Sequence, residues 1–348
     1  MLPVGKLDSD VLKRIVIDKI KYKSEDVKVR AGVGEDCAVV GYGDYDCVIS
    51  TDPITSSIND VGRLSIHISC NDIASNGVQP IAITLAVMLP KGTTEEDVEK
   101  IMAQAAKSAE DVGVEIVGGH TEITEAVNQP VIVSTAFGKV VAGESQSASD
   151  MHAGDVILMT KQAGLEGTGI ICSDYKDELS NVLSSDELAE GKLMLDNVSV
   201  VKEGVIAGKI GTHGMHDVTE GGILGAVWEM CNISGLGVLL DEDKIAVSKV
   251  TEKVCEYFSA DWKRLISSGC MIIVASPEKA DDISAELGHN GVMVSEIGRV
   301  TMADEGLMLK KSDGSLEEIN PPKTDELYRV TGRERNSLTK SWTKPKLN

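Results

Sequence analysis

The stretch that decides the fold is Asn71-Asp72-Ile73-Ala74-Ser75-Asn76-Gly77-Val78-Gln79-Pro80. It begins inside a run, 61–74, whose spacing predicts a helix with polar residues along one side. A β-branched run at 81–88 follows and predicts a strand. An amide and a carboxylate therefore stand side by side within an apolar segment, where the carboxylate is available as a hard oxygen ligand.

Periodicity and turn residues predict the neighbouring elements. Thr94 with Asp97 resembles a capping box, apolar residues at helical spacing follow, and Gly113 ends the helix predicted over 94–112. The other predicted elements are helices over 9–22, near 190–209, near 220–233 and from 276 onward, and strands over 48–51, 114–117, 131–141, 156–160 and 271–275.

Four other segments also place an acidic side chain next to glycine or at the end of an apolar run. They are Gly32-Val33-Gly34-Glu35-Asp36, Thr51-Asp52-Pro53, Gly118-Gly119-His120-Thr121-Glu122 and Asp217-Val218-Thr219-Glu220-Gly221-Gly222. Converging carboxylates suit Mg²⁺, and glycines let backbone N–H groups approach phosphate oxygens. Taken singly, each segment has a simpler interpretation: a turn at Asp52, a local side-chain-to-backbone bond at Asn71, a tight turn at Gly118, and an N-cap at 217–222.

The composition narrows the classes of partner. The 348 residues carry 34 Lys and Arg against 55 Asp and Glu, and the net charge of −21 disfavours nucleic acid and membrane partners. A phosphorylated ligand is still compatible, because a divalent metal held by carboxylates reverses the field locally. No apolar run approaches the ~20 residues of a membrane span, and the N-terminus lacks a secretory pattern, so we expect a cytoplasmic protein.

Cysteine and histidine spacing gives no zinc signal. The seven cysteines include no C-x-x-C pair, and we interpret them as small buried side chains. His213 and His216 are three apart with no third ligand beside them in sequence, so we interpret both as ordinary polar residues.

The length favours two domains, since single cores rarely grow beyond roughly 250 to 300 residues. Residues 143–155 are rich in Gly, Ser, Ala and Asp and show no periodicity, so we place the boundary near residue 150. The prediction is an α+β protein with an N-terminal domain over 1–150, a C-terminal domain over 151–325 and a polar tail over 326–348.

The order and spacing of the five segments resemble the aminoimidazole ribonucleotide (AIR) synthase, or PurM-like, superfamily. Residues 71–80 match its N-D-I-A-x-x-G-x-x-P signature and 217–222 its D-x-T-x-G-G motif. Residues 34–39 resemble its G-x-D-[DA]-A-V segment, with Cys37 at the fourth position. At its G-G-[DE]-T position this chain has His120 where an acidic residue is usual, and Glu122 is the candidate substitute. The resemblance implies a two-domain PurM-like fold whose N-terminal sheet pairs with that of a second subunit into a barrel, giving a homodimer with ATP clefts near the interface.

The resemblance also implies the cofactors ATP and Mg²⁺ and the residues that hold them, whereas it assigns no catalytic residue. The implied metal ligands are Asp36, Asp52, Asp72, Glu122 and Asp217. The implied nucleotide-binding residues are Asn71, Gly118, Gly119, His120, Thr121, Thr219, Gly221 and Gly222.

Within the superfamily, the chain looks closest to the branch of the hydrogenase maturation factor HypE, which uses a C-terminal cysteine as carbamoyl acceptor. The last cysteine here is Cys270 and the sequence ends at Asn348, so we do not expect that reaction on its own tail. The leading expectation is ATP-dependent phosphorylation or activation of an amide, a carboxamide or another small acceptor, with the acceptor group on an unknown small molecule or protein. Two alternatives stay open: a nucleotide-binding partner protein with reduced turnover, and a thiamine-monophosphate kinase-like enzyme, which His120 disfavours.

Overall fold

Two β-sheets, one in each half of the chain, organise the structure. The computed structural model describes residues 6–55, 60–322 and 324–332. The predicted tail is therefore described only to residue 332, with 326–332 helical, and the rest of it lies outside the described residues.

The first half forms a six-stranded sheet in the order β1-β2-β3-β6-β4-β5, in which only β4 and β5 pair in parallel. Its strands are β1 (Val27–Val29), β2 (Ala38–Tyr42), β3 (Tyr45–Ile54), β4 (Pro80–Pro90), β5 (Glu115–Thr124) and β6 (Val131–Val141). The helices of this half are α1 (Ser9–Ile15), α2 (Val61–Ser75) and α3 (Glu95–Val112). A parallel β4–β5 pair needs a crossover connection, and α3 supplies it.

Local signals in the sequence explain these elements well. Thr94 and Asp97 form the predicted capping box of α3, and Gly113 ends it with φ +70°, which favours glycine. Alternate residues of β3 and β6 are buried against α2, as a sheet with one covered face requires. The opposite face is half-buried, and on edge strand β5 the side chains of Val117 and Ile123 are more than half exposed.

The second half forms a seven-stranded sheet in the order β13-β12-β9-β11-β7-β10-β8. Its strands are β7 (Val156–Thr160), β8 (Gly214–Asp217), β9 (Gly237–Asp241), β10 (Met271–Ala275), β11 (Val294–Thr301), β12 (Leu307–Lys310) and β13 (Leu316–Glu318). The helices are α4 (Leu165–Asp174), α5 (Lys176–Leu179), α6 (Ser185–Leu193), α7 (Val201–Ile210), α8 (Gly222–Ser234), α9 (Lys249–Phe258) and α10 (Pro277–His289). Every residue of β7 and β10 is buried, as continuous apolar runs at the sheet centre require.

Helix α2 joins the two halves because it packs on its own sheet and also on α7 and β8. Glycines make this approach possible: a Cβ on Gly204 would lie 2.2 Å from the carbonyl oxygen of Ala74. One hydrophobic cluster consequently contains residues of both halves, including Ile73 of α2 and Ala207 of α7.

Three predicted elements were wrong in extent. The helix predicted near 190–209 is the end of α6 and the whole of α7, separated by the 3-10 turn Met194–Asn197 and residues 198–200. The helix predicted over 9–22 ends at Ile15 and is followed only by a short 3-10 turn, Ile17–Lys19. The strand predicted over 114–117 continues to Thr124, because Gly118 and Gly119 extend β5 instead of turning it. A Cβ on Gly119 would lie 1.8 Å from the carbonyl oxygen of Leu85 on β4, so strand pairing itself requires glycine there.

Candidate functional site

Four of the predicted carboxylates converge where the two halves meet. Asp36 precedes β2, Asp52 lies on β3, Asp72 on α2, and Asp217 ends β8. Ser50 Oγ donates a hydrogen bond to Asp72 Oδ2 and lies 3.4 Å from Asp52 Oδ2, so one hydroxyl links two of the acids. The predicted set therefore forms one acidic cluster (Asp36, Asp52, Asp72 and Asp217), assembled from residues up to 181 positions apart.

Asp217 is the most deeply buried member of the acidic cluster, with no exposed surface. Its backbone N–H donates to Ser75 Oγ at 3.0 Å, and its Oδ1 lies 3.5 Å from the same hydroxyl. Its Oδ2 is buried and has no hydrogen-bond partner among the described residues. A buried carboxylate oxygen without a partner is costly unless a cation or donor offsets its charge, so this atom marks a place for a ligand.

Burial and mutual repulsion raise the pKa values of three members of the acidic cluster, Asp36, Asp72 and Asp217. Burial, followed by the neighbouring Asp36 charge, raises the pKa of Asp217 to about 7. Burial is also the largest cause that raises the pKa of Asp72 well above its ordinary value, and Asp217 and Asp52 add to it. A divalent cation would remove this penalty, and all four side chains offer the oxygen ligands that Mg²⁺ prefers.

His216 supplies the cluster with a positive charge from the protein itself. Its Nδ1 lies 3.5 Å from Asp36 Oδ2, and its Nε2 lies 3.2 Å from Glu229 Oε2 on α8. Burial alone would lower its pKa, but the two carboxylates outweigh burial and raise the pKa to about 10. The sequence interpretation of His216 as an ordinary polar residue missed this role, and no local signal connected it with Glu229.

We expect Mg²⁺ to stabilise the protein more at pH 8 than at pH 5.5. The raised pKa of Asp217, about 7, means that the metal-free fold loses stability as pH rises from about 4 through 7, because a repelled charge then forms. Mg²⁺ binds the ionised carboxylates and offsets that loss. Thermal melts with and without Mg²⁺, at matched ionic strength, measure the difference; a Mg²⁺-induced shift that does not change with pH would contradict it.

Asn71 stands beside Asp72 but contacts the other half of the protein. Its Nδ2 donates to the carbonyl oxygen of Val198 at 2.8 Å, and its Oδ1 accepts from the N–H of Val200 at 2.8 Å. The residue is fully buried, and both its amide nitrogen and its amide oxygen already form hydrogen bonds within the protein. The geometry supports positioning of the neighbouring Asp72 more directly than contact with a nucleotide.

Replacement of Asn71 by leucine is expected to lower the free energy of unfolding by about 2–6 kcal/mol. The similar side-chain volume is kept, whereas a buried carbonyl at Val198 and a buried N–H at Val200 lose their partners, at about 1–3 kcal/mol each. Urea unfolding measures the loss. The exposed Asn181→Leu variant is the control, and equal stability of the two variants would show that the bridge contributes nothing.

The fifth predicted metal ligand, Glu122, lies far from the acidic cluster of its own chain. Asp52, Ser134, Leu85 and Gly119 are paired in register across β3, β6, β4 and β5, which places Gly119 three strand spacings, about 14 Å, from Asp52. Residues 118–122 are exposed on β5, where His120 Nε2 lies 3.2 Å from Glu122 Oε2. One chain therefore does not bring Gly118, Gly119, His120, Thr121 or Glu122 to the acidic cluster.

The predicted anion site at the start of α8 follows Asp217 directly. Thr219 is half-buried, and Gly222 has φ +62° with a Cβ position only 2.5 Å from the carbonyl oxygen of Lys263, so glycine is required. The N–H of Gly221 donates to Asp325 Oδ2 at 2.7 Å. The N–H at the predicted anion site therefore already donates its hydrogen bond to a carboxylate of the chain's own C-terminal segment.

Comparison with known proteins identifies the family. The model of the AIR synthase related protein N-terminal domain matches residues 34–140, and that of its C-terminal domain matches 152–310. The chain belongs to the AIR synthase related family. A hydrogenase expression/formation protein of Methanocaldococcus jannaschii is 27% identical over 320 residues, covering 88% of this chain and 91% of its own. The carbamoyl dehydratase HypE of Rhodobacter capsulatus is 26% identical, over 73% and 74% of the two chains.

Solved structures give the same fold. The crystal structure of hydrogenase maturation protein HypE in complex with ATP superposes with a TM-score of 0.68 at 19% identity, covering 94% of this chain and 98% of that one. ThiL complexed with AMPPCP and TMP superposes with a TM-score of 0.70 at 17% identity, covering 91% and 94%. The predicted two-domain PurM-like fold is confirmed. Within the described residues, no helix is both long and apolar enough to span a bilayer.

Proposed function

We propose that this AIR synthase related protein binds ATP with Mg²⁺ at the acidic cluster and uses it to activate the oxygen of an amide, a carboxamide or another small acceptor. The observation that carries the proposal is the convergence of four buried or half-buried carboxylates, one of which, Asp217, has an Oδ2 with no hydrogen-bond partner among the described residues. The ATP complex of HypE and the relatives named carbamoyl dehydratase support the choice of cofactor and acceptor.

Asp36, Asp52, Asp72 and Asp217 would hold Mg²⁺, which neutralises phosphate charge when bound. Asp36 and Asp217 bring oxygens within 4.8 Å of each other and of a His216 nitrogen, so the protein's own cation limits repulsion between them. The γ-phosphoryl group would pass from ATP to the acceptor oxygen with release of ADP. The chain's part is to align donor and acceptor and to keep the carboxylates in place, because phosphoryl transfer depends mainly on positioning and charge stabilisation.

The proposal includes a homodimer in the cytoplasm. Residues 118–122 are far from the acidic cluster of their own chain, and β5 is an edge strand with the exposed apolar side chains Val117 and Ile123. Pairing of two N-terminal sheets through such an edge would cover those side chains. It would also allow His120 and Glu122 of one subunit to approach the nucleotide of the other, in keeping with the predicted barrel.

Calorimetric titration with the non-hydrolysable analogue AMPPNP, with and without Mg²⁺, tests nucleotide binding. ADP release is then measured with ATP alone, with a peptide containing S-carbamoylcysteine, and with thiamine monophosphate. Acceptor-dependent ADP release with the peptide supports the proposed function. Binding without such release supports a nucleotide-binding partner protein, release with thiamine monophosphate alone supports the kinase alternative, and absence of binding rejects all three.

A further inference from the structure

Ionisable side chains lie at both ends of strand β8. Asp217, at its C-terminal end, belongs to the acidic cluster, whereas His213 immediately precedes its first residue. Asp217 is four residue steps after His213, about 13 Å along an extended strand. The surroundings of His213 are therefore separate from the acidic cluster, and the proposed nucleotide binding does not involve them.

A tight turn directly before β7 brings two more polar side chains to His213. The N–H of Asp155 donates to the carbonyl oxygen of His152 at 3.1 Å, and the N–H of His152 donates to Asp155 Oδ2 at 2.7 Å. The Asp155 carboxylate is buried, with 5% of its side chain exposed, and its Oδ2 lies 2.8 Å from His213 Nδ1. The His152 and His213 rings meet edge to face with centroids 4.9 Å apart, so both imidazoles border the same carboxylate.

We propose that His152, Asp155 and His213 bind a divalent transition-metal ion of the Zn²⁺ class. Two imidazole nitrogens and one carboxylate oxygen are donors that suit Zn²⁺, Co²⁺ or Ni²⁺, whereas Mg²⁺ prefers an all-oxygen environment. One donor atom from each residue lies within 4.8 Å of the others. Three protein ligands leave further coordination positions to water, which makes the site open.

Small movements complete the geometry. Bonds of about 2.1 Å in a tetrahedral site place donor atoms about 3.4 Å apart. The observed separations from Asp155 Oδ2 are 2.8 Å to His213 Nδ1 and 4.0 Å to His152 Nδ1, one shorter and one longer than that value. The His152 side chain is 70% exposed, so its ring is free to turn toward the carboxylate. His213 exchanges its contact with Asp155 for the metal, and coordination requires both imidazoles to be unprotonated.

Metal binding would tie the segment before β7 to the segment before β8. His152 and Asp155 lie just before β7, and His213 lies just before β8. A ligand that binds only the folded state stabilises it by mass action. At Zn²⁺ concentrations about 100 times the dissociation constant, we expect the melting temperature to rise by several degrees.

The test is Zn²⁺ binding by the full chain, without nucleotide, in competition with a chromophoric chelator and with millimolar Mg²⁺ present. The wild-type protein and the variants His152→Ala, His213→Ala, His289→Ala and Asp36→Asn are compared, each with its melting temperature in chelator and in Zn²⁺. His289, an exposed histidine at the end of α10, is the matched control for loss of one imidazole. Asp36→Asn tests a second candidate site among the described residues, because Asp36 lies beside His216 and Asp217.

We expect one tight Zn²⁺ equivalent in the wild type, His289→Ala and Asp36→Asn proteins, and at least about tenfold weaker binding in His152→Ala and His213→Ala. His152→Ala keeps the test decisive if His213→Ala fails to fold, since His152 is exposed. Zn²⁺ binding that survives His152→Ala, that is lost in Asp36→Asn, or that is absent from the wild type would overturn the proposal. Because no nucleotide is used, failure here is distinct from failure of the proposed function.

Discussion

Replacement of Asp72 by asparagine is expected to weaken Mg²⁺-dependent binding of AMPPNP by about 30-fold or more, and to make the metal-free protein more stable. Removal of one partner from a buried charge pair costs about 2–5 kcal/mol of binding free energy, which sets the expected loss. The gain in stability has the opposite cause: burial and the charges of Asp217 and Asp52 disfavour the ionised Asp72 carboxylate until a cation arrives. Calorimetric titration and thermal melts in chelator measure the two effects.

The matched control is Asp46→Asn. Asp46 is a buried aspartate on β3, the strand that also carries Asp52. Asp46 Oδ1 lies 2.6 Å from Lys28 Nζ, and its Oδ2 accepts from the N–H of Gly143 at 2.8 Å. Its pKa is lowered, first by the hydrogen bond to Lys28, so the folded state favours its charge. Asp46→Asn should lower the melting temperature and leave nucleotide binding unchanged. If both variants lose stability and both keep binding, the acidic cluster is not a metal site.

Replacement of Gly204 by alanine is expected to lower the free energy of unfolding by about 1–3 kcal/mol, although alanine favours helices. The added methyl group would lie 2.2 Å from the carbonyl oxygen of Ala74, a backbone atom that cannot move without separating α2 from α7. Overpacking of this kind costs about 1–3 kcal/mol, occasionally more. Because Asp72 lies on α2 near this contact, the variant should also weaken AMPPNP binding.

Gly288→Ala provides the same chemical change where space is available. Gly288 lies in α10, and a Cβ there meets no atom within 4 Å. Alanine should therefore stabilise this variant by about 0.5–1 kcal/mol through helix propensity alone. Urea unfolding of the two variants separates packing from propensity. Equal changes in both would mean that the contact between α2 and α7 relaxes freely.

Local signals predicted the elements well where the physical cause was itself local. The capping box of α3, the uninterrupted apolar strands β7 and β10, and the strand β6 depend on residues within a few positions of one another. The end of β5 was predicted poorly, because pairing with β4 determines it. Gly119 extends β5 through its contact with Leu85, which no local pattern reveals.

The candidate site shows the same division. The ordered motifs predicted Asp36, Asp52, Asp72 and Asp217, and the fold gathers these four side chains. The charge of His216 was not predictable, because it depends on burial between two acids from distant segments. His213 was interpreted without a third ligand, yet the turn that supplies His152 and Asp155 lies 58 residues or more before it.

The hydrogen bonds of Asn71 to the C-terminal half bear on how far related sequences can diverge while the two halves keep their relative arrangement. The Asn71 side chain makes its hydrogen bonds to main-chain atoms of Val198 and Val200, and main-chain atoms are the same for almost every residue type. These two hydrogen bonds therefore do not depend on side-chain identity at positions 198 and 200, although both valines also pack in the cluster shared by the halves. We expect chimaeras that join residues 1–150 of this chain to the C-terminal half of a distant relative to align their halves correctly, provided that the asparagine, the glycine at 204, and the length and apolar character of the 198–200 segment are kept.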